Sequence, residues 1–568
     1  MYNLKKVDDF YNKLLESKLI YFLIGFAILI SYYILYLFRT VDNTVLMSWN
    51  LVFNYGVYNI YDLLLILPIV IFLSFIISRI NYNKYNQERY HILFLFFIGM
   101  IIGTLFWNIP EINPDAARFF TEAKYLELKG IWGYFNDWGY EFFVWSDFPS
   151  VPFFYGILFR YLGEFREYIQ IFNTILFSLT SVLTYKISKR LWNEEIGIYS
   201  GLLLMSFPFL LSQIPLMLVD IPFMFLVMLS AFLLFKVFDN KYYSIPASII
   251  IFFALYAKLS SILILCPIIF ILIINYRSVI LNKKRWIFTI FFSLTLTILF
   301  FIWKMDAILQ SEKTNFQAFD INRFSENPLN YFYQIGFIVI ILAIYSIIIG
   351  IRKKDMNYII VIAWVTITFL FLYDVRIRYM IPVFPFIAIM ASLSIYSISN
   401  TDVKKFLISS LVLTSIAFSV YAYIPYEENF TDKNIKDAAE FTNSLNIQEI
   451  QLFLDFSDKH PFNPDVLVIL FDLYSHKKII YSQDNKFYPV KDYSNAFTAY
   501  YKIPSFYYDN KSLSPLKNNY AIIIISDKEQ SNFISSKYLE NHILVKKFEG
   551  KTVSILIPSS VKVYLPKE

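Results

Sequence analysis

The sequence predicts a polytopic α-helical membrane protein, with about thirteen transmembrane helices and a C-terminal soluble α/β domain. Three observations carry this. The chain is 57% hydrophobic, with a mean hydropathy of +0.51, more than a soluble core hides. Apolar runs of about 20 residues, the length that crosses a hydrocarbon core, recur from residue 19 to residue 424. From about 426 the pattern changes to short apolar runs alternating with polar helical stretches.

The expected spans lie near 19–38, 58–79, 91–109, 169–187, 195–212, 215–236, 244–257, 259–275, 286–304, 331–351, 357–373, 379–398 and 405–424. The first follows a charged, amphipathic N-terminus and is too long for a signal-peptide core, so it reads as a retained span. The pair around Lys258 reads equally as one bent span. Lys and Arg set the orientation. Lys5, Lys6, Lys13, Lys18, Lys84, Arg89, Lys186, Lys189, Arg190, Lys236 and Lys241 all fall on one side if the count is odd. So do the clusters at 277–285, 352–354 and 404–405. The expected localisation is the cell membrane, multi-pass, with a cytoplasmic N-terminus and an extracytoplasmic C-terminal domain.

The longest outer loop, 110–168, holds PDAARFFTEAKYLELKG and DFPSVPFFYGILFRYLGE. Both have helical periodicity, with Gly130 as a stop for the first, and are expected to lie along the membrane surface. A second outer loop spans about 305–330. Past 426, IQLFLDF, KKIIYS, YAIIIIS, HILVKKF and TVSILIP read as strands; DKNIKDAAEFTNSL and EQSNFISSKYLE read as helices. Asn429 and Asn510 open glycosylation sequons.

Several function classes are excluded. The net charge of +6 is spread between apolar stretches, with no basic patch for nucleic acid. The single cysteine, Cys266, forbids internal disulfides, and the four histidines lack metal-ligand spacing. No cofactor is fixed; a divalent metal ion is the one left open.

Ionisable residues beside a membrane are costly and need a reason. Asp115, just past the third span, is placed to act as a general base on an acceptor; its bland alternative, a helix cap, is favoured by local sequence. Arg118 and Glu122 share a face of the same helix. Asp220 opens a span as a cap or a pairing partner. Lys258 interrupts an apolar run near the outer interface, where it holds a phosphate or snorkels to headgroups. Arg376 and Arg378, with Tyr379 beside them, stand where a guanidinium clamps a phosphate or anchors to headgroups. Together they suggest a site for an anionic, lipid-linked donor.

The order of segments resembles the glycosyltransferase-C superfamily, in particular its family 39-like branch of protein O-mannosyltransferases and bacterial aminoarabinose transferases. The resemblance covers roughly 91–400 and runs through the acidic loop PDAARFFTEAKYLELKG, the proline-led DFPSVPFFYGILFRYLGE, then ILFSLTSVLTYKISKRLWNEEIGIYSGLLLMSFPFLL, SQIPLMLVDIPFMFLVMLSAFLLF, ALYAKLSSILIL and RIRYMIPVFPFIAIM. It implies a catalytic transmembrane module (91–425); the extra N-terminal helices (1–90) depart from many relatives, and the expected extracytoplasmic α/β domain (426–568) matches no module of the family. It implies an inverting transfer of a sugar from a polyprenyl-phosphate donor to a glycan, lipid or protein acceptor in the bilayer. Asp115 would be the catalytic base, and Lys258 with Arg376 or Arg378 would face the donor phosphate. Many members carry two adjacent acids in the first loop, where this chain has Asp115 followed by Ala116. The Trp-Trp-Asp signature of oligosaccharyltransferases is absent. The main alternative is a transporter or flippase for a lipid-linked glycan, against which no internal repeat is found. A membrane scaffold presenting the C-terminal domain leaves the long amphipathic loop unexplained.

Overall fold

The computed structural model describes residues 17–38, 60–80, 88–111, 114–139, 149–258, 265, 284–306, 336–358, 361, 377–423, 433–456, 464–481, 486–487, 520–527, 539–550 and 559–567. The N-terminal amphipathic stretch, Cys266, Arg376, both sequons, the 307–330 loop and nearly all of the expected spans 259–275 and 357–373 lie outside these residues.

Helices dominate the first three quarters. They are α1 (Leu19–Phe38), α2 (Ile60–Ser78), α3 (Glu88–Thr104), α4 (Pro114–Asp137), α5 (Ser150–Leu162), α6 (Arg166–Leu191), α7 (Glu194–Leu203), α8 (Pro208–Gln213), α9 (Asp220–Asp239), α10 (Ser244–Leu255), α11 (Lys284–Trp303), α12 (Phe337–Lys353), α13 (Phe384–Tyr396) and α14 (Thr401–Phe418). Among the described residues four helices are long and apolar enough to cross a membrane: 61–78, 220–239, 378–396 and 401–421. Large apolar side chains stand exposed along α1, α2, α3 and α11, including Phe22, Leu65, Phe97 and Ile302. Faces of that size and character take lipid, not water, as their solvent. The chain is a membrane protein.

Two expected spans are broken, each for a physical reason. The run near 195–212 is helical over α7, passes through a 3-10 turn at Leu204–Ser206 and restarts as α8. Pro208 has no N–H to continue the ladder, and Phe207 before it is extended (φ −98°, ψ 104°). The run near 215–236 becomes helical only at Asp220. The backbone before it is held by side chains. Asn173 donates to the Leu216 carbonyl at 2.8 Å, Tyr155 donates to that of Leu218 at 2.6 Å, and Glu111 accepts from the Met217 N–H at 3.1 Å. Irregular backbone at such depth survives where protein groups satisfy it.

Ion pairs bind one end of the bundle. Lys189 meets Glu88 at 3.1 Å and Glu194 at 3.3 Å, Arg190 meets Asp239 at 2.6 Å, Lys404 meets Glu195 at 3.0 Å, and Arg79 meets Asp402 at 2.7 Å. Lys189, Arg190 and Lys404, from the expected basic loops, thus pair with acids at that end. The long loop lies at the other.

In that loop, α4 breaks at Gly130, whose φ of 74° and ψ of 176° suit glycine alone. The platform is less exposed than its periodicity suggests. Ala116, Ala117, Phe119, Phe120 and Ala123 are all buried, because α5 covers one flank of α4 and the later helix Asp465–Tyr474 touches it too. Exposure begins with Leu128, Ile131 and Trp132 and includes Tyr161 and Leu162 of α5. The first half of α4 is therefore a protein interface, and only the later part presents apolar side chains outward.

The last quarter holds α15 (Lys433–Asn443), β1 (Glu449–Asp455), α16 (Asp465–Tyr474), β2 (Lys478–Ile480), β3 (Lys486–Phe487), β4 (Tyr520–Asp527), β5 (His542–Glu549) and β6 (Ser559–Pro566). The sheet order is β2-β1-β4-β6-β5, with β3 also on β1. β1 runs parallel to β2, β3 and β4, whereas β6 is antiparallel to both β4 and β5. Two details depart from the sequence reading. The final strand is SSVKVYLP, and TVSILIP lies outside the described residues. DVLVILFDLY, assigned to no element by its composition, is α16, buried over its whole length. Its two acids, Asp465 and Asp472, are buried with the rest of the helix.

Candidate functional site

Pro114 opens α4 with the φ a first helical residue needs, and Asp115 follows in the first turn, where the helix dipole favours a carboxylate. Its side chain reaches a distant segment. Asp115 Oδ2 accepts a hydrogen bond from Arg378 Nη2, 263 residues away. Arg378 sits in a 3-10 turn, Ile377–Val383, that carries Pro382 and feeds α13. The arginine is 9% exposed and the aspartate 26%, so the pair faces outward on the acid's side.

Next along the turn, Tyr379 joins this pair to a second. Its ring centroid lies 5.5 Å from Arg378 Cζ and 3.9 Å from Lys258 Nζ, both within cation–π reach. Lys258 Nζ then donates to Asp220 Oδ1 at 3.0 Å, with both side chains 2% exposed. Asp220 is the first residue of α9. The lysine does not snorkel: it is buried and neutralised by a carboxylate, as a charge in such surroundings must be. The result is a continuous line, Asp115–Arg378–Tyr379–Lys258–Asp220, drawn from four separate chain segments. It holds two acids, two cations and one ring, which suits an anion that competes with the carboxylates for both cations.

Arg118 and Glu122 are placed differently. Arg118 Nε donates to Glu122 Oε1 at 3.0 Å, one turn along α4, with both side chains buried. Tyr134, from beyond Gly130, donates to Glu122 at 3.4 Å and to the Pro149 carbonyl at 3.1 Å. These contacts brace the loop behind Asp115. Arg376 lies outside the described residues, so of the two arginines only Arg378 is placed.

A buried pair escaped the sequence reading. Arg166 Nε donates to Glu111 Oε1 at 2.9 Å, with exposures of 6% and 1%. Arg166 also reaches the Ile109 carbonyl at 2.6 Å, and Gln170 the Trp107 carbonyl at 2.7 Å. An acid between two prolines in NIPEINPD was the available signal; its partner 55 residues on was not.

Lys124, further along α4, bridges Glu164 at 3.1 Å and Asp472 of α16 at 2.6 Å. Burial raises the Glu164 carboxyl to about 7; Lys124 pulls it back, and Glu127 beside it pushes it up. In the unfolded chain it returns to its ordinary value of about 4.3. The folded protein thus binds the extra proton, so its stability rises as pH falls from about 8 through 7 towards 5. Glu164→Gln, neutral at every pH, is expected to flatten the rise in melting temperature between about pH 8 and about pH 6. An unchanged slope contradicts this assignment. Among the described residues no three His, Cys, Asp or Glu side chains converge to hold a metal ion.

A profile of the dolichyl-phosphate-mannose-protein mannosyltransferase family matches residues 147–303. That stretch runs from the start of α5 to the end of α11 and includes Asp220 and Lys258, but neither Asp115 nor Arg378. No curated protein sequence matches the chain. Among solved structures, ArnT from Cupriavidus metallidurans bound to undecaprenyl phosphate superposes with a TM-score of 0.54 at 9% identity, over 83% of this chain and 97% of that one. Its apo state superposes equally well. The chain has the glycosyltransferase-C fold. An oligosaccharyltransferase from Archaeoglobus fulgidus, in complex with Zn and sulfate, aligns at a TM-score of 0.44 and 10% identity over 76% of this chain and 68% of that one. Within the glycosyltransferase-C fold, the line from Asp115 to Asp220 lies at the end of the bundle opposite the ion-paired basic end.

Proposed function

We propose that this chain is a membrane glycosyltransferase that moves a sugar from a polyprenyl-phosphate carrier to an acceptor on the extracytoplasmic face, with inversion. One observation carries the reading: Asp115, Arg378, Tyr379, Lys258 and Asp220 form one contiguous cluster. A transferase of this class needs a base for the acceptor and cations for the departing phosphate, side by side.

In the resting protein each cation is held by a carboxylate. A donor phosphate offers Arg378 and Lys258 a stronger, bidentate-capable anion. As Arg378 turns to the phosphate, Asp115 is released to take the proton of the acceptor hydroxyl or amine. The acceptor atom attacks the anomeric carbon from the side opposite the phosphate. Its new bond to carbon forms as the carbon–oxygen bond to phosphate breaks, the electron pair leaves with the carrier phosphate, and the proton stays on Asp115. Tyr379 holds the two cations in register. Asp220, left with its charge in a dry site, pulls Lys258 back once the carrier leaves.

The topology follows from charge. With about thirteen spans and the basic end inside, the cluster and the loop carrying Asp115 open to the outside. The domain after 426 sits there too, through the contact of α16 with α4. The module boundaries 1–90, 91–425 and 426–568 belong to this proposal. The test is reconstitution of purified protein in proteoliposomes with polyprenyl-phosphate sugars. Time-dependent release of the sugar-free carrier phosphate, coupled to glycosylation of an added acceptor, is expected. Carrier moved across the bilayer with its sugar intact would support a flippase instead.

A further inference from the structure

The least explained part of the molecule is the sheet domain after 426. Several of its contacts with the membrane module are polar and directed at the backbone of the short connection between α3 and α4. Lys436 of α15 donates to the Asn108 carbonyl at 2.7 Å. The Glu111 N–H donates to the Tyr474 hydroxyl at the end of α16. The Tyr474 ring lies 5.3 Å from the Arg166 guanidinium that grips the Glu111 carboxylate. On the far side of Asp115, Asp472 of α16 receives Lys124 at 2.6 Å. Asn443 of α15 fixes the end of α16, accepting from the His476 N–H at 2.7 Å and donating to the Tyr474 carbonyl at 2.9 Å. Lys436, Asp472 and Tyr474 are each at least nine-tenths buried.

We infer that the C-terminal domain is a positioning element for the catalytic base, acting through Lys436, Asp472 and Tyr474. This rests on the reading of Asp115 as that base. Asp115 lies on a helix whose start is set by the backbone at 107–111, which runs on from α3 in single turns, Trp107 N–H to the Thr104 carbonyl and Ile109 N–H to the Phe106 carbonyl. The carbonyls of Trp107, Asn108 and Ile109 and the Glu111 N–H go to Arg166 and Gln170 from the bundle and to Lys436 and Tyr474 from the sheet domain. Asp472 pins the same helix from beyond the base. The two helices of the domain therefore hold both sides of Asp115, while Lys258 and Asp220 pair with each other within the bundle. A shift of the base by about 1 Å costs on the order of 10²-fold in rate, so the domain controls turnover without touching donor or acceptor.

The experiment uses the full chain in proteoliposomes and measures kcat, the donor KM and the melting temperature of Tyr474→Phe, Lys436→Met, Lys436→Arg and Asp115→Asn. Tyr474→Phe keeps the ring against Arg166 and removes only the hydroxyl. It and Lys436→Met are expected to lower kcat by about ten- to a hundredfold, with the donor KM within about twofold. Lys436→Arg, which still donates to the Asn108 carbonyl, is expected to restore most of kcat. A merely structural role would move the melting temperature and the folded fraction and leave kcat per folded protein alone, and that result overturns the inference. Wild-type kcat in Tyr474→Phe and Lys436→Met, beside an inactive Asp115→Asn, overturns it while leaving the base assignment standing. An active Asp115→Asn overturns the base assignment itself, and the inference with it.

Discussion

Asp115→Asn is expected to lower sugar transfer by about 10²–10⁴-fold, the contribution of a positioned general base. The protein should stay folded and inserted. Asparagine matches the shape of aspartate, and its amide oxygen still accepts from Arg378, so the link between α4 and the 3-10 turn at 377–383 persists. What disappears is the capacity to take a proton. Carrier-phosphate binding should be kept or tighten, because Arg378 and Lys258 remain and a neutral amide competes less for Arg378 than a carboxylate does. The pair of measurements therefore separates base from brace. Lost transfer with retained binding assigns Asp115 to the acceptor, whereas full transfer would reject that role.

Lys258→Met should produce the largest loss of stability. Lys258 and Asp220 are both 2% exposed, and removing one partner of such a pair leaves an uncompensated buried charge costing about 3–5 kcal/mol. The lost cation–π contact with Tyr379 adds to this. The double variant Asp220→Asn with Lys258→Met leaves no orphan charge and should recover most of the melting temperature, since a buried pair is often replaceable by neutral groups of similar volume. It should not recover binding of carrier phosphate. Melting curves in detergent and a binding assay with polyprenyl phosphate check both halves. A single variant as stable as the parent, or a double variant that binds phosphate as tightly, contradicts the role given to Lys258.

Much of the helical framework was legible because lipid burial is a property of composition, and composition is local. α1, α2 and α9 follow from apolar length, and the stop at Gly130 from the conformational freedom of glycine. The breaks were harder to read. The irregular segment before Asp220 exists because Asn173, Tyr155 and Glu111 satisfy its backbone from distant helices, and nothing local announces them. The same limit applies to the site. Asp115, Asp220, Lys258, Arg378 and Tyr379 each stood out as polar residues in costly places, but which partner each takes is a long-range fact. A lone lysine in an apolar run reads equally as snorkelling or as holding a phosphate, and its partner Asp220, 38 residues away, is not announced by the local sequence. Arg118 and Glu122 were visible as an i, i+4 pair, but their burial against Tyr134 is a long-range fact. Glu111 and Arg166 look like ordinary loop charges until the fold closes over them.

Two resting ion pairs, in this account, trade their carboxylates for one donor phosphate. A structure of the full chain with polyprenyl phosphate bound is the most direct measurement of that exchange. Phosphate oxygens within hydrogen-bonding distance of both Lys258 Nζ and the Arg378 guanidinium, about 3 Å, with Asp115 turned free of Arg378, are the expected result. Phosphate seated elsewhere, with Arg378 still on Asp115 and Lys258 still on Asp220, would contradict it.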